Sequence, residues 1–133
     1  MQSTISSIEG FPIAIASWPA TLDNPKQEMV DVHAGLRALF EENGWDSGIV
    51  IHDGSKLEID FGSLVLILAE LRSEDAAWLS ERVKVRLVGP PHLTDVTVTA
   101  HGQEQYSGRT KDISACESLD QAILEAKALL QSE

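Results

Sequence analysis

Between residues 53 and 71 the chain reads DGSKLEIDFGSLVLILAEL, and the pattern of hydrophobic and polar positions changes twice within it. Leu57, Ile59 and Phe61 alternate with polar neighbours, Gly62 and Ser63 break the alternation, and residues 64–68 form the most apolar segment of the protein. The alternating part predicts either a strand over 56–60, closed onto the preceding one by a tight Asp53-Gly54 turn, or a loop; the two readings lead to different folds. Ser63 is expected to cap a helix beginning at Leu64, with Leu66 in the core. Ala69, Glu70, Leu71 and Arg72 favour helix over a buried strand. Ser73, Glu74 and Asp75 then open a second helical piece ending near Arg82, acids at its positive end and a base at its negative end.

Upstream, residues 1–9 read as a flexible lead-in and residues 10–133 as a single α/β domain. Residues 11–18, FPIAIASW, predict a first strand with Pro12 near its start. Asp23 or Asn24 caps a helix over 25–42, Pro25 occupying the first position, where its missing amide proton costs nothing. Met29, Val32, Leu36, Leu39 and Phe40 share one face of that helix, Glu28, Asp31 and Glu42 the other, and Asn43-Gly44 ends it. Residues 48–52 predict a second, interior strand. After Val83 the period falls to two. Val83, Val85 and Leu87 alternate with Lys84 and Arg86, then Val96, Val98 and Ala100 with Thr97 and Thr99, and a short strand is expected around Tyr106. Ser118 and Gln121 form a capping box for a last helix carrying Leu119, Ala122, Ile123, Ala126, Leu129 and Leu130 on one stripe, with Leu124 outside it. The expected architecture is α+β or α/β: a mixed sheet with a C-terminal antiparallel meander covered by helices, in the order β-α-β-(β)-α-α-β-β-β-α.

Composition narrows the class. With 133 residues, 43% hydrophobic and 23% charged, the chain has the makings of one stable globular domain. The single cysteine, Cys116, leaves no internal disulfide and fits a reducing compartment, so the cytoplasm is the expected location. No segment has the cationic flank and length of a secretory signal or the roughly 18–20 apolar residues of a membrane span. Ten basic against 21 acidic residues give a formal charge of −11, which repels nucleic acid and anionic membranes and attracts basic proteins. The expected partner is therefore another protein, basic in character.

Candidate chemistry is sparse. His33, His52, His92 and His101 lack the spacing of a metal site, and no cofactor or metal is expected. GWDSG at 44–48 places its serine one position late for a nucleophile elbow, and neither a phosphate-cradling loop nor a dinucleotide fingerprint occurs. Glu58 and Asp60 would share one side of a strand over 56–60, a spacing common on solvated edges. Cys116, just ahead of the last helix, is read as structural; only a pKa lowered by the helix terminus would make it reactive. Trp18, Trp45 and Trp78 border predicted elements and are read as core.

IHDGSKLEID followed by FGSLVLILAEL resembles the central segment of STAS domains, the sulfate transporter and anti-sigma factor antagonist family, in which a strand and short loop lead into an apolar helix. TLDNPKQEMVDVHAGLRALFE is similar to that family's first helix, VKVRLVGPP to its next strand and exit, and SLDQAILEA to its closing helix. The resemblance places the family's phosphoacceptor serine at Gly62, with Ser63 one position away, and a helix where 94–108 reads as strands. It implies a non-catalytic antagonist or adaptor that binds a kinase-like or related protein through Asp60, Gly62 and Ser63. Charge suggests a second reading, an immunity-type protein neutralising a basic toxin through Glu28, Asp31, Glu41, Glu42 and Asp46. A secretion chaperone is a third reading. A small hydrolase-like enzyme, built on a cleft gathering His52, Asp53 and His101, is the fourth.

Overall fold

The structure, a computed structural model, describes residues 1–70, 78, 83–101 and 112–132. Five strands lie side by side in chain order: β1 (Thr4–Ser7), β2 (Ile13–Ser17), β3 (Gly48–Asp53), β4 (Val83–Val88) and β5 (Asp112–Cys116). β1 runs antiparallel to β2, and β2 through β5 are parallel. Four helices accompany them: α1 (Pro25–Asn43), α2 (Phe61–Glu70), α3 (Pro91–His101) and α4 (Leu119–Gln131).

Each parallel step needs a crossover, and all three steps run in the same direction across the sheet. Right-handed crossovers therefore put α1, α2 and α3 on one face, while α4, following the last strand, returns on the other. The strands are consequently buried on both sides. In β2 the small residues Ala14 and Ala16 meet α1 at Val32, Leu36 and Phe40, and the alternate Ile13 and Ile15 meet α4 at Ala122 and Ala126. Small residues thus oppose large ones on each face.

Local signals in the first half hold well. Asn24 caps α1, its side chain accepting from the Gln27 amide at 3.2 Å, and Gly44 ends the helix in the left-handed region at φ 66°. Gly48 is required by packing, because a Cβ there would lie 2.5 Å from the Pro12 carbonyl oxygen. Residues 54–60 form a loop, which settles the open choice at Asp53-Gly54 against the hairpin. The lead-in is not loose: Thr4–Ser7 pairs with β2. Its anchor is Glu28, 5% exposed, whose carboxylate accepts from the Gln2 amide at 3.0 and 3.1 Å and from the Ser3 amide at 2.7 Å. Burial opposes the charged form, but these amides prevail and hold the Glu28 pKa below its ordinary value of 4.5.

The C-terminal third departs from expectation. The α/β class and mixed sheet stand, but the antiparallel meander is replaced by β4-α3-β5, with β4 and β5 parallel. Val96, Thr97, Val98 and Thr99 are β-branched and alternate, which suggested strand; the crossover demands a helix, and Leu93, Thr94 and Thr97 supply its inward face. β5 carried no strand signal at all. The strand expected at Tyr106 and the second helical piece after Ser73 lie outside the described residues, apart from Trp78, which packs edge-on against Phe40 at 5.3 Å.

On the α4 side, Arg86 is buried and fully engaged. Its guanidinium donates to Asp112 at 2.7 Å, to Glu125 at 2.9 Å and to the Val85 carbonyl at 3.0 Å. The Cys116 thiol donates to the other Glu125 oxygen at 3.2 Å. Burial, then the Glu125 carboxylate, push that thiol up to about 11. Cys116 is a protonated structural residue.

Leu66 is 46% exposed and Leu68 2% exposed, which corrects the placing of Leu66 in the core. In chemical denaturation Leu68→Ala should cost about 2–5 kcal/mol and Leu66→Ala less than about 1 kcal/mol. Equal losses would show that α2 is rotated from the orientation described. Because the Glu28 pKa is depressed in the folded state, its stabilisation is complete above about pH 4.5 and is lost as pH falls through the folded value. Glu28→Gln should cost about 1–3 kcal/mol at pH 7 and flatten this acid limb of the stability profile.

Candidate functional site

β3 delivers the chain to the C-terminal edge of the sheet, where α/β folds place their binding residues. The loop that follows is held from several sides. The Gly54 amide donates to the Val88 carbonyl at 2.7 Å, the Glu58 amide to the Ala20 carbonyl at 2.7 Å, and Asp53 Oδ1 accepts from the Ser55 amide at 3.1 Å. This fixes the direction in which α2 leaves the loop.

Asp60, rather than Ser63, caps α2. Its Oδ1 accepts from the Ser63 amide at 2.7 Å and its carbonyl from the Leu64 amide at 3.1 Å. The Ser63 amide and then the Ser63 hydroxyl hold the exposed Asp60 carboxyl below its usual range. Gly62 stands exposed in the first turn and Ser63 is half-buried beside it. The carboxylate of Asp60 thus takes up the helix terminus that an external anion would otherwise find.

α2 is apolar nearly all round, yet only one side of it meets the protein. Leu64 and Leu68 pack with Leu93, Leu57 and Ile59. Turned away from that stripe are Leu66, 46% exposed, and the exposed Gly62 and Ala69, while Phe61, 71% exposed, stands in the first turn at the start of the stripe. The exposure of Phe61 and Leu66 was missed in the sequence because a continuous apolar run reads as interior. The missing signal was geometric: a helix of 10 residues resting on a layer can bury one stripe, so a run without a polar side must leave apolar groups outside.

The acidic candidates do not gather at one place. Glu28 is withdrawn from any surface role by its bonds to Gln2 and Ser3, which corrects its place on the outer face of α1. Asp31, half-buried, accepts from Gln27 at 2.9 Å; Glu41 pairs with Arg37 at 3.0 Å on an exposed turn; Glu42 and Asp46 are exposed. α1 runs against the strand direction, so Glu41, Glu42 and Asp46 lie at the end where the parallel strands begin. Asp60, Gly62 and Ser63 lie where they finish.

Nor does a reactive cleft form among the described residues. His52 and Asp53 are neighbours on a strand and point to opposite faces. His52 Nδ1 accepts from Trp18 Nε1 at 3.1 Å, and burial, then the nearby His33 ring, press its pKa down to about 3. The imidazole is neutral, and with Nδ1 accepting, its proton is on Nε2. His92 is exposed on α3. Among the described residues no group of three or more His, Cys, Asp or Glu side chains is arranged to hold a metal ion, and no helix is long and apolar enough to cross a membrane.

No family model and no curated protein matches the sequence. Among solved structures the chain is similar to RsbS of Moorella thermoacetica, a STAS-domain anti-sigma factor antagonist, with a TM-score of 0.59 and 18% identity over 98% of this chain and 99% of that one. At that identity the likeness speaks for architecture: the chain has a STAS-like fold.

Proposed function

We propose that the protein is a non-catalytic antagonist or adaptor that binds another protein through the outer side of α2 and the turn leading into it. The observation that carries this reading is the exposure of two large apolar side chains on α2, Phe61 at its start and Leu66 on its outer side, in a strongly acidic chain with a STAS-like fold. Large side chains such as Phe61 supply most of the binding energy at a protein interface when a partner covers them. The exposed acids Glu58 and Asp60 lie beside this surface, and with the net charge of −11 they favour a partner that is basic around its own apolar centre. Asp60, Gly62 and Ser63 shape the helix start in this reading. Gly62 has no hydroxyl to phosphorylate, so docking is governed by contact and charge at this position.

A photo-crosslinking amino acid placed at position 66, with one at position 124 as control, tests the reading in source lysate. Leu124 is 70% exposed but lies on α4, across the sheet from α2. Position 66 should give a discrete protein adduct that position 124 does not, and Phe61→Asp should abolish it while changing stability by less than about 0.5 kcal/mol. The yield should fall as salt rises. Equal adducts from both positions, or none from position 66, would sink the proposal.

A further inference from the structure

Beneath α2, between the sheet and the three crossover helices, the core is not filled. A cavity of about 100 Å³ remains. Its floor is Val50, Val85 and Leu87, its roof Leu64 and Leu68 of α2, and its side wall Leu93 of α3. Gly54 and Leu57 after β3 and Gly89 and Pro90 after β4 border it at the C-terminal edge of the sheet. That edge is where α/β folds admit ligands.

The polar groups around the cavity are largely committed elsewhere. Thr97 Oγ1 donates to the Leu93 carbonyl at 2.7 Å and Thr94 Oγ1 to the Pro90 carbonyl at 3.4 Å, so both turn methyl groups to the space. His52 lends a neutral ring already tied to Trp18. No charged side chain lines the space among the described residues. A cavity of this kind has too few partners to hold water well, and apolar cavities of comparable size stay dry and accept compact hydrocarbons or xenon.

We infer that this cavity is a binding site for a small, neutral, apolar molecule, of about the bulk of a single six-membered ring, entering between the loops that follow β3 and β4. Charge excludes anionic and cationic analogues of the same shape, because nothing in the walls would replace their hydration. The site is independent of the docking surface on the other side of α2 and stands if that reading falls.

Benzene is the probe, and benzoate is its charged counterpart. With methyl-labelled protein, benzene in the millimolar range should produce saturable shifts of the Leu64, Leu68, Val85 and Leu93 methyl resonances and leave Leu124 unmoved, while benzoate at equal concentration shifts none of the four. Leu93→Phe, which fills the space, should weaken benzene binding at least tenfold; Val85→Leu serves the same purpose if the first variant does not fold. Shifts that fail to saturate, that appear equally with benzoate, or that persist undiminished in a folded filling variant would overturn the assignment.

Discussion

Every interior strand of this sheet must be covered on two faces at once, and the rest of the molecule follows from that demand. Parallel neighbours are joined only by crossovers, three crossovers in one direction fill one face, and a single helix is left for the other. Among the described residues α4 is the helix that covers the Ile13, Ile15, Ile49 and Ile51 side, and it does so with Ala122 and Ala126, whose small side chains let the helix lie close against large isoleucines. Arg86, reaching from β4 to Asp112 on β5 and to Glu125 on α4, ties the same layer with charge. A buried guanidinium is tolerable there because carboxylates and a carbonyl receive it.

The other face is less complete. Three helices share it, and α2 is the shortest of them and the most apolar. Its inner leucines form a small cluster with Leu93 that stands apart from the main core around α1. A helix seated on so small a cluster gains little from its outer side, and Phe61 and Leu66 are left in water. Natural surfaces carry such groups singly without consequence; two on one helix are what the proposed docking role rests on.

What the sequence revealed depended on whether local and global forces agreed. Asn24-Pro25 and Gly44 bracket α1 by chemistry that needs no tertiary context, and both ends came out as read. The Ser118 cap and the stripe of α4 behaved likewise. Residues 96–99 were misread because valine and threonine prefer strands locally, whereas the connection between two parallel strands requires a helix. The resemblance to STAS domains, which carries topology, indicated a helix there. Residue-level reading of the candidate site failed at Glu28, because its partners are backbone amides of a segment 25 and 26 positions away. It failed at Leu66 because hydrophobicity states what a side chain prefers and not how many sides a short helix can hide. Asp60, displacing Ser63 as the cap, lay within the ordinary uncertainty of a helix boundary.

The bond between Glu28 and the N-terminal segment bears on more than the strand it anchors. β1 is short and polar, with Thr4, Ser6 and Ser7 exposed, and such a strand makes a poor template for further pairing. β2 beneath it is the opposite, an IAIAS strand buried almost throughout. One carboxylate thus guards the rim of the sheet against self-association: were β1 to lift, the ladder groups of β2 would offer an open, hydrophobic edge to any extended chain nearby. Acid strong enough to protonate that carboxylate, below its ordinary pKa of 4.5, removes the guard.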